Sequence, residues 1–489
     1  MTRTVHRVGP ALAAACCLAA TITLGACGGF DITNTNQPTQ TDLENHPTRS
    51  KLSAAATGIF SGARSDITGF IWQVGSMGRE GINLSGNNQP DYQEPYFGPL
   101  SSTQFGGSEW TGRYANIRSI NVYLDAAPKA PDLSPQEISA SLGFGKTMEA
   151  LAFMYVIETR AALGAPVDVD RPVTAPPAPF VSEDSVYGFM IGLLDSAQTA
   201  LQNASGTSFP FPIPPGFTGF DQPSTFLLFN RALKGKAAAH YATRGGGSAA
   251  WQAALTALSA SFLNASATTR AQFDVGVYDT YAPAPDTPNP LTQATNTNLY
   301  AHMSIQADAQ LKANGQPDDR YTAKIRTGLP SRQGPTANNL PTSAPSTLGF
   351  SIWPTQSSTI PVLRNEELIL LRAEAKLGTG DKAGAIADLN IVRQNSGGLP
   401  ASTLTAASSD DAVITGILYE KRYSLLMEGD RWVDMRRYGK LDLLPLDIPS
   451  GPNKNFVAKV MPVPQAECLN RLSLSAEFLG PNGLNDCAP

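Results

Sequence analysis

Residues 365–393 read NEELILLRAEAKLGTGDKAGAIADLNIVR and contain two amphipathic segments separated by a short polar turn at Gly380 and Asp381. Apolar and small residues recur every three or four positions in both segments, which is the period of a helix with one buried face. Ala373 and Ala385, twelve residues apart, would let two such helices approach closely. The stretch therefore predicts a pair of packed helices.

This spacing is that of a tetratricopeptide-like helix pair, and residues 231–263 repeat it loosely. Further helical periods cover residues 110–124, 145–163, 184–202, 225–243 and 410–438. We therefore expect a mainly α fold, with helix pairs within 110–264 and 362–438. Loop-rich insertions are expected at 72–109, 204–223 and 265–361, where Pro, Gly, Ser, Thr and Asn are dense.

The first 26 residues have the pattern of a lipoprotein signal peptide. Arg3 and Arg7 precede a nearly uncharged apolar run that ends in Leu24-Gly25-Ala26-Cys27. We expect Cys27 to be lipidated, residues 27–45 to form a polar tether, and residues 46–489 to form a single body. The alternative is an ordinary secretory signal that happens to contain a cysteine. Because no other apolar run reaches the roughly 18 residues of a spanning helix, the expected membrane connection is the lipid anchor only.

Composition and motifs leave few chemical functions open. With 42% hydrophobic residues and a net charge of -5, the chain is expected to be globular and not to bind nucleic acid. Residues 140–147, ASLGFGKT, match a relaxed phosphate-binding loop, but no apolar strand precedes them. No two histidines have the spacing of metal ligands and no nucleophile elbow occurs, so neither a metal nor a cofactor is expected.

Two features near the C-terminus predict structural roles. Cys468 and Cys487 could form a disulfide that staples the tail, although spacing alone does not decide the geometry. Residues 420–437 are dense in charges of alternating sign, which predicts either a buried ion-pair network or an anion-binding or active site. We favour the network, whose expected members are Glu420, Arg422, Glu428, Arg431 and Asp434.

These C-terminal motifs together resemble the SusD/RagB family. The resemblance rests on residues 364–375, 390–393, 420–422, 428–439 and 461–465, with further matches at 110–123 and 164–167. Lys421 and Ser424 stand where the family more often has arginine and glutamate. The resemblance covers nearly the whole chain after the signal.

The resemblance implies a surface-exposed outer-membrane lipoprotein that captures a nutrient, usually an oligosaccharide. It implies a role as the lid of a SusC-like TonB-dependent transporter, and no enzymatic activity. The implied fold is a right-handed α-α superhelix of tetratricopeptide-like pairs, overlaid by an irregular, long-loop region that carries the ligand site. Two alternatives are a helical-repeat scaffold that binds only proteins and, more remotely, a surface glycosidase whose paired carboxylates meet only in space.

Candidate ligand-binding residues concentrate in two loop regions. Aromatic faces stack on sugar rings, while amide and guanidinium groups bind paired hydroxyls. The first region, 72–97, also lies roughly where the family places much of its site. The candidates are Trp72, Arg79, Asn83, Asn88, Tyr92, Tyr96 and Phe97, with Tyr278, Tyr281, Tyr300 and Trp353 as a second set. The alternative for each aromatic residue is that it only pins its loop to the core.

Overall fold

The computed structural model describes residues 39–86, 93–172, 174–292, 297–471 and 474, and helices dominate this part of the chain. The helices are α1 (Gln40–Asn45), α2 (Arg49–Ser65), α3 (Ile67–Met77), α4 (Thr111–Ala126), α5 (Pro135–Arg160), α6 (Glu183–Asn203), α7 (Pro223–Tyr241), α8 (Gly247–Ser259), α9 (Arg270–Phe273), α10 (Ser304–Ala307), α11 (Asp319–Lys324), α12 (Asn365–Gly378), α13 (Lys382–Asn395), α14 (Asp410–Ser424), α15 (Arg431–Arg437) and α16 (Gln465–Leu469).

The strands are short and pair in twos. They are β1 (Gly81–Asn83), β2 (Gly276–Asp279), β3 (Leu299–Ala301), β4 (Ile325–Arg326), β5 (Thr336–Ala337), β6 (Leu340–Pro341), β7 (Gly349–Phe350) and β8 (Ile360–Arg364). The antiparallel pairs are β1 with β3, β2 with β8, β4 with β7, and β5 with β6. These strands come from the regions predicted to be loop-rich, except that β8 extends three residues into the region predicted to be helical from residue 362.

Successive helices pack on one another along the chain. Helices α4 to α8 each contact the next, α8 contacts α12, and α12, α13 and α14 contact one another. Their facing sides are apolar: Ala373, Ala385 and Leu389 are buried in the α12–α13 pair. The predicted mainly α fold built from helix pairs is confirmed, whereas the right-handed sense of the superhelix stays a prediction.

Helix α5 explains the sequence that imitates a phosphate-binding loop. Ser134 caps the helix in a capping box with Glu137, so residues 140–147 lie well inside a continuous helix. A Cβ at Gly143 would lie 2.5 Å from Leu201, and one at Gly145 would lie 2.6 Å from a side-chain atom of Leu124. The two glycines therefore allow neighbouring helices to approach closely, and their amides are not exposed to a phosphate.

Two predicted boundaries were wrong. The loop-rich region expected from residue 72 begins later, because Ile67, Phe70, Ile71 and Val74 form the buried face of α3 and carry the helix on to Met77. The helix expected from residue 362 begins at Asn365, because residues 360–364 form β8. The helical stretch 410–438 is divided into α14 and α15 at Glu428-Gly429-Asp430, where the sequence itself indicates a helix end and a new N-cap, and Met427 and Gly429 adopt left-handed φ values of 57° and 91° in this break. Of the helices in the described part of the chain, none is both long and apolar enough to cross a bilayer.

The break between α14 and α15 lies in a buried network of charges. Glu420 forms ion pairs with Arg320 and Arg393, at 2.7 and 2.9 Å. The other predicted members have the following partners: Glu428 pairs with Arg364 at 2.7 Å, Asp434 with Lys421 and Arg437 at 2.7 and 2.6 Å, and Arg422 with Asp308 at 2.5 Å. Arg431 instead donates from Nε to the carbonyl of Gly78 at 3.0 Å. Several of these pairs join segments that are distant in sequence, such as Glu420 on α14 with Arg320 on α11.

Candidate functional site

The side chains predicted to bind ligand lie at several separate places. Tyr96 and Tyr300 are buried with Ile82 and Leu84 behind the β1–β3 pair. The Tyr96 hydroxyl donates to the carbonyl of Gly81 at 3.1 Å, and the Tyr300 hydroxyl donates to that of Pro330 at 3.4 Å. Both rings are about 95% buried or more, so they support the strand pair and present almost no surface to a ligand.

Arg79 is also buried beside this strand pair. Its guanidinium lies 4.1 Å from the centre of the Tyr96 ring and donates to the carbonyls of Pro95, Pro445 and Phe456 at 2.9, 3.1 and 2.6 Å. Burial lowers the pKa of Arg79 from its ordinary value. Because backbone carbonyls use its donors, Arg79 holds loops together, which corrects its expected role as a sugar contact.

Some of the remaining candidates contact neighbouring residues in the folded chain, and others lie outside the described residues. Trp72 lies on α3 and meets Phe105 edge-on at 5.6 Å, and Trp353 is buried beside Phe350 at 5.7 Å. The Asn83 side chain accepts a hydrogen bond from the amide of Ser85 at 3.0 Å. Phe97 is half-buried. The described residues do not include Asn88, Tyr92, Cys27 or Cys487, so the roles predicted for these four stay predictions. Cys468 is buried and disulfide-bonded, and its pairing with Cys487 stays a prediction.

A cleft of about 410 Å³ lies close to the buried Tyr281. We call it the Arg64 cleft. It is formed by the second half of α2, the proline-rich loop 212–217 and the end of β2. Its lining residues are Thr57, Phe60, Ser61, Arg64, Pro212, Ile213, Pro214, Pro215, Phe217, Tyr278, Asp279 and Thr280. The volume lies in the range of small-molecule sites, and the lining is apolar with a few converging polar groups, as such sites usually are.

The proline-rich wall is held in place by close packing. Gly216 lies against β2, where an added Cβ would be 1.8 Å from the carbonyl oxygen of Tyr278. Phe217 meets Phe60 of α2 edge-on, with ring centres 5.1 Å apart, and stacks on Phe226 of α7 at 5.9 Å. The loop 204–223, predicted to pack on the helices, therefore joins α2 to the frame and closes one side of the cleft.

Asp279 supplies the single carboxylate in the lining of this cleft. It is half-buried, and no hydrogen bond to its side chain occurs within the described residues. Burial raises the pKa of Asp279 to about 7, while the positive charges of Arg113 and Arg64 act in the opposite direction. Asp279 therefore contributes a carboxylate with free acceptor capacity to the lining of the cleft.

Arg64 supplies the cationic group. Its guanidinium lies 5.6 Å from the centre of the Tyr281 ring and donates to the carbonyl of Thr280 at 2.8 Å. A second nitrogen lies 3.4 Å from the Thr287 hydroxyl, and the Asp286 carboxylate is 3.8 Å away. Few of the five N–H donors of Arg64 are used in strong hydrogen bonds, so the guanidinium can still donate to a ligand.

No sequence pattern marks Arg64 or Asp279 as a binding residue. Arg64 is the last basic residue of an ordinary amphipathic helix, and Asp279 is the last residue of a strand that is only four residues long and has one buried residue. Two predicted aromatic residues lie nearby: Tyr281, whose ring contacts Arg64, and Tyr278, which lines the cleft. The residues meet because the β2–β8 pair brings Asp279 alongside α2, and no local pattern predicts that contact.

Comparison with known proteins agrees with the fold. Residues 272–467 match the family model described as the SusD family. No curated protein shows significant similarity to the chain. Three solved structures are similar over most of their length at low identity, which supports a shared fold. NanU of B. fragilis is 14% identical, with a TM-score of 0.63, covering 88% of this chain and 96% of that one.

The other two similar structures are a carbohydrate-binding SusD-like protein and a laminarin-binding one. The first, from Bacteroides fragilis, is 13% identical with a TM-score of 0.63, and the match covers 88% of this chain and 99% of that one. The second, described as a laminarin binding SusD-like protein, is 19% identical with a TM-score of 0.58, covering 86% of this chain and 98% of that one. The resemblance seen in the C-terminal motifs is thus confirmed.

Proposed function

We propose that this chain, which matches the SusD family model over residues 272–467, captures a nutrient oligosaccharide in the Arg64 cleft without chemically altering it. The observation that carries the proposal is the unpartnered carboxylate of Asp279 opposite a guanidinium, on an apolar floor. A carboxylate accepts from two adjacent hydroxyls and a guanidinium donates to others, which is the pairing that sugars offer. The proline and phenylalanine wall suits the C–H faces of a pyranose ring.

Binding without hydrolysis is favoured by the acid content of the cleft. Glycoside hydrolysis uses two carboxyl groups on opposite sides of the scissile bond. The lining residues of the Arg64 cleft include one carboxyl group, that of Asp279. The site is therefore equipped to hold a glycan and lacks the acid–base pair needed to cleave it.

The test is a binding panel with an activity control. We expect the intact protein to bind at least one neutral oligosaccharide in calorimetry, in a panel that includes laminarin, which one structurally similar protein is described as binding. Recovered ligand should have an unchanged chain length and no new reducing ends. Release of reducing ends would support the glycosidase alternative, and failure to bind any glycan while a protein partner is retained would support the scaffold alternative.

We further propose that the protein works at the outer membrane as the lid of a SusC-like TonB-dependent transporter. The support is the family resemblance together with the Leu24-Gly25-Ala26-Cys27 sequence. An anchored binding protein stays near its transporter, which raises its effective concentration there. Co-purification of a large barrel protein with the lipoprotein from membranes would support this role, and recovery of the lipoprotein alone would oppose it.

Replacing the anchoring cysteine should separate localisation from binding. We expect the Cys27→Ala variant, with residues 1–26 replaced by an ordinary cleavable secretory signal, to appear in the soluble fraction, because the processed chain has no lipid and begins with a polar segment. Its oligosaccharide affinity should equal that of the wild type within about twofold. Fractionation of cells followed by calorimetry measures both. Membrane retention of the variant would contradict the lipoprotein assignment, and Thr35→Ala in the same polar segment is the matched control.

A further inference from the structure

A second cleft, of about 380 Å³, opens where α2 passes into α3 and faces the start of α4. We call it the Asp66 cleft. Its lining residues are Ser65, Asp66, Thr68, Gly69, Gln73, Gly107, Ser108, Glu109, Trp110, Thr111 and Gly112. Unlike the Arg64 cleft, its lining is mostly polar. It contains two carboxylates, one amide and four hydroxyls, and it contains no lysine, arginine or histidine.

The side chain that points to a ligand is Gln73. It is 92% buried, and its Oε1 atom has no hydrogen-bond partner within the described residues. Leaving a buried amide oxygen unbonded is costly, and nearly all such groups in native proteins are satisfied by protein, water or ligand. Because Gln73 lines the cleft, the missing donor has to come from whatever occupies it.

Glu109 contributes a second acceptor. Its Oε2 atom pairs with Arg113 at 3.0 Å, and the other oxygen, Oε1, lies 3.1 Å from where a Cβ of Gly69 would be. Gly69 has no side chain, so it leaves this oxygen uncovered on the cleft side. Glu109 also holds a left-handed φ of 56°, a conformation that non-glycine residues seldom adopt. The chain is thus held in an unfavourable conformation at the place where the carboxylate enters the cleft.

Asp66 contributes the third acceptor, and it carries a charge that is not balanced by a neighbouring base. Its side chain has no hydrogen bond or ion pair within the described residues. The carboxylate fills the space left by the missing side chain of Gly112, since a Cβ there would lie 1.8 Å from Oδ2. Asp66 therefore leans over the first turn of α4 with its acceptor capacity unused.

We infer that the Asp66 cleft is a second binding site, separate from the Arg64 cleft, for a saccharide unit that carries a protonated amine. Acceptors exceed donors among the lining groups, so the ligand must be rich in donors. The negative charge of Asp66 favours a cation, and an ammonium supplies three donors on one atom. The hydroxyls of Thr68, Ser108 and Thr111 can pair with the hydroxyls of the same ring. A hexosamine combines these features in one unit of suitable size.

The test compares two trisaccharides that differ only at C2. The β-1,4-linked glucosamine trimer and cellotriose are titrated calorimetrically into the intact protein at pH 6, where the amines are protonated. We expect the wild type to bind the glucosamine trimer at least tenfold more tightly than cellotriose. The Asp66→Asn variant should lose this preference, because it keeps the size of the side chain and removes only the charge.

Three further variants make the result specific. Gly112→Ala should also abolish the preference, because its methyl group would displace the Asp66 carboxylate. This variant replaces Asp66→Asn in the test if Asp66→Asn folds poorly. Asp221→Asn, which changes an exposed aspartate that lines neither cleft, should leave the preference unchanged. Asp279→Asn should weaken binding of the neutral glycan and leave the C2 preference intact, so the two sites can fail independently.

Two outcomes would overturn the inference. One is equal affinity of the wild type for the two trisaccharides, and the other is a C2 preference that Asp66→Asn and Gly112→Ala both retain. If Asp279→Asn alone lost the C2 preference, the amine would bind in the Arg64 cleft, and this result would also overturn the inference.

Discussion

Replacing Glu374 with alanine will lower the free energy of unfolding by about 3–5 kcal/mol, the range for removing one partner of a buried ion pair. The Glu374 side chain is fully buried on α12 and accepts from Lys421 at 3.0 Å, from Arg437 at 2.7 Å and from the Tyr438 hydroxyl at 2.8 Å. Its removal leaves Asp434 as the remaining carboxylate that is paired with both Lys421 and Arg437. One charge then compensates two buried cations.

The pKa of Lys421 depends strongly on the carboxylates of Asp434 and Glu374. Burial alone would lower the pKa of Lys421, yet Asp434 and Glu374 together raise it above its ordinary value. A group with a raised folded-state pKa stabilises the protein below its unfolded pKa, here over the whole neutral range, and loses that effect only in strong alkali. The loss in the alanine variant should therefore be nearly constant between pH 6 and 9.

Chemical denaturation at pH 7 measures the effect of Glu374→Ala. The matched control is Asp168→Ala, which breaks the pair between Asp168 and Arg171 at 2.6 Å, where the aspartate side chain is 69% exposed. Solvent screens such a pair, so we expect a change below about 1 kcal/mol. Similar losses in the two variants would mean that burial does not strengthen the network around Glu374.

Replacing Asp279 with asparagine will have opposite effects on binding and stability. At pH 8 we expect the affinity for the tightest oligosaccharide of the panel to fall about 10- to 100-fold, because charged hydrogen bonds to a carboxylate are lost. At pH 5.5 the wild-type carboxyl is largely protonated, since its pKa is about 7. The difference between variant and wild type should then shrink to a few-fold.

Stability should change in the other direction. The pKa of Asp279 lies above its reference value of 3.8, so the stability linked to this group is complete below pH 4 and is lost as pH rises through 7. Above pH 7 the folded protein must hold an ionised carboxylate in a partly buried place. The neutral asparagine avoids this cost, and we expect Asp279→Asn to be more stable than the wild type by about 1–3 kcal/mol at pH 8.

Denaturation and calorimetry at pH 5.5 and 8 test both halves of the prediction. Asp221→Asn removes an exposed carboxylate and should change neither quantity at either pH. A variant that is stabilised at pH 8 but binds as tightly as the wild type would confirm the burial of Asp279 and refute the Arg64 cleft as the glycan site. Unchanged stability at pH 8 would refute the raised pKa.

The helical frame was predictable because local patterns encode it. A period of 3.6 residues, the Ser134–Glu137 capping box and the alanines at 373 and 385 specify helices and their close approach through neighbouring residues alone. The charge-dense stretch 420–437 was equally informative, since so many alternating charges among apolar residues require partners. The identity of the partners, such as Arg320 for Glu420, required the fold.

The binding surfaces were decided only by tertiary structure. Aromatic residues such as Tyr96 and Trp353 looked like sugar contacts, but each buries a large apolar area, and the fold places them inside. Arg64 and Asp279, which line a cleft, are 215 positions apart and look unremarkable in sequence. By itself the sequence determined the helix pairs and the family resemblance, and it predicts the anchoring signal, because these depend on short-range order. Which polar groups remain without partners depends on the packing of the whole chain, and only the tertiary structure shows it.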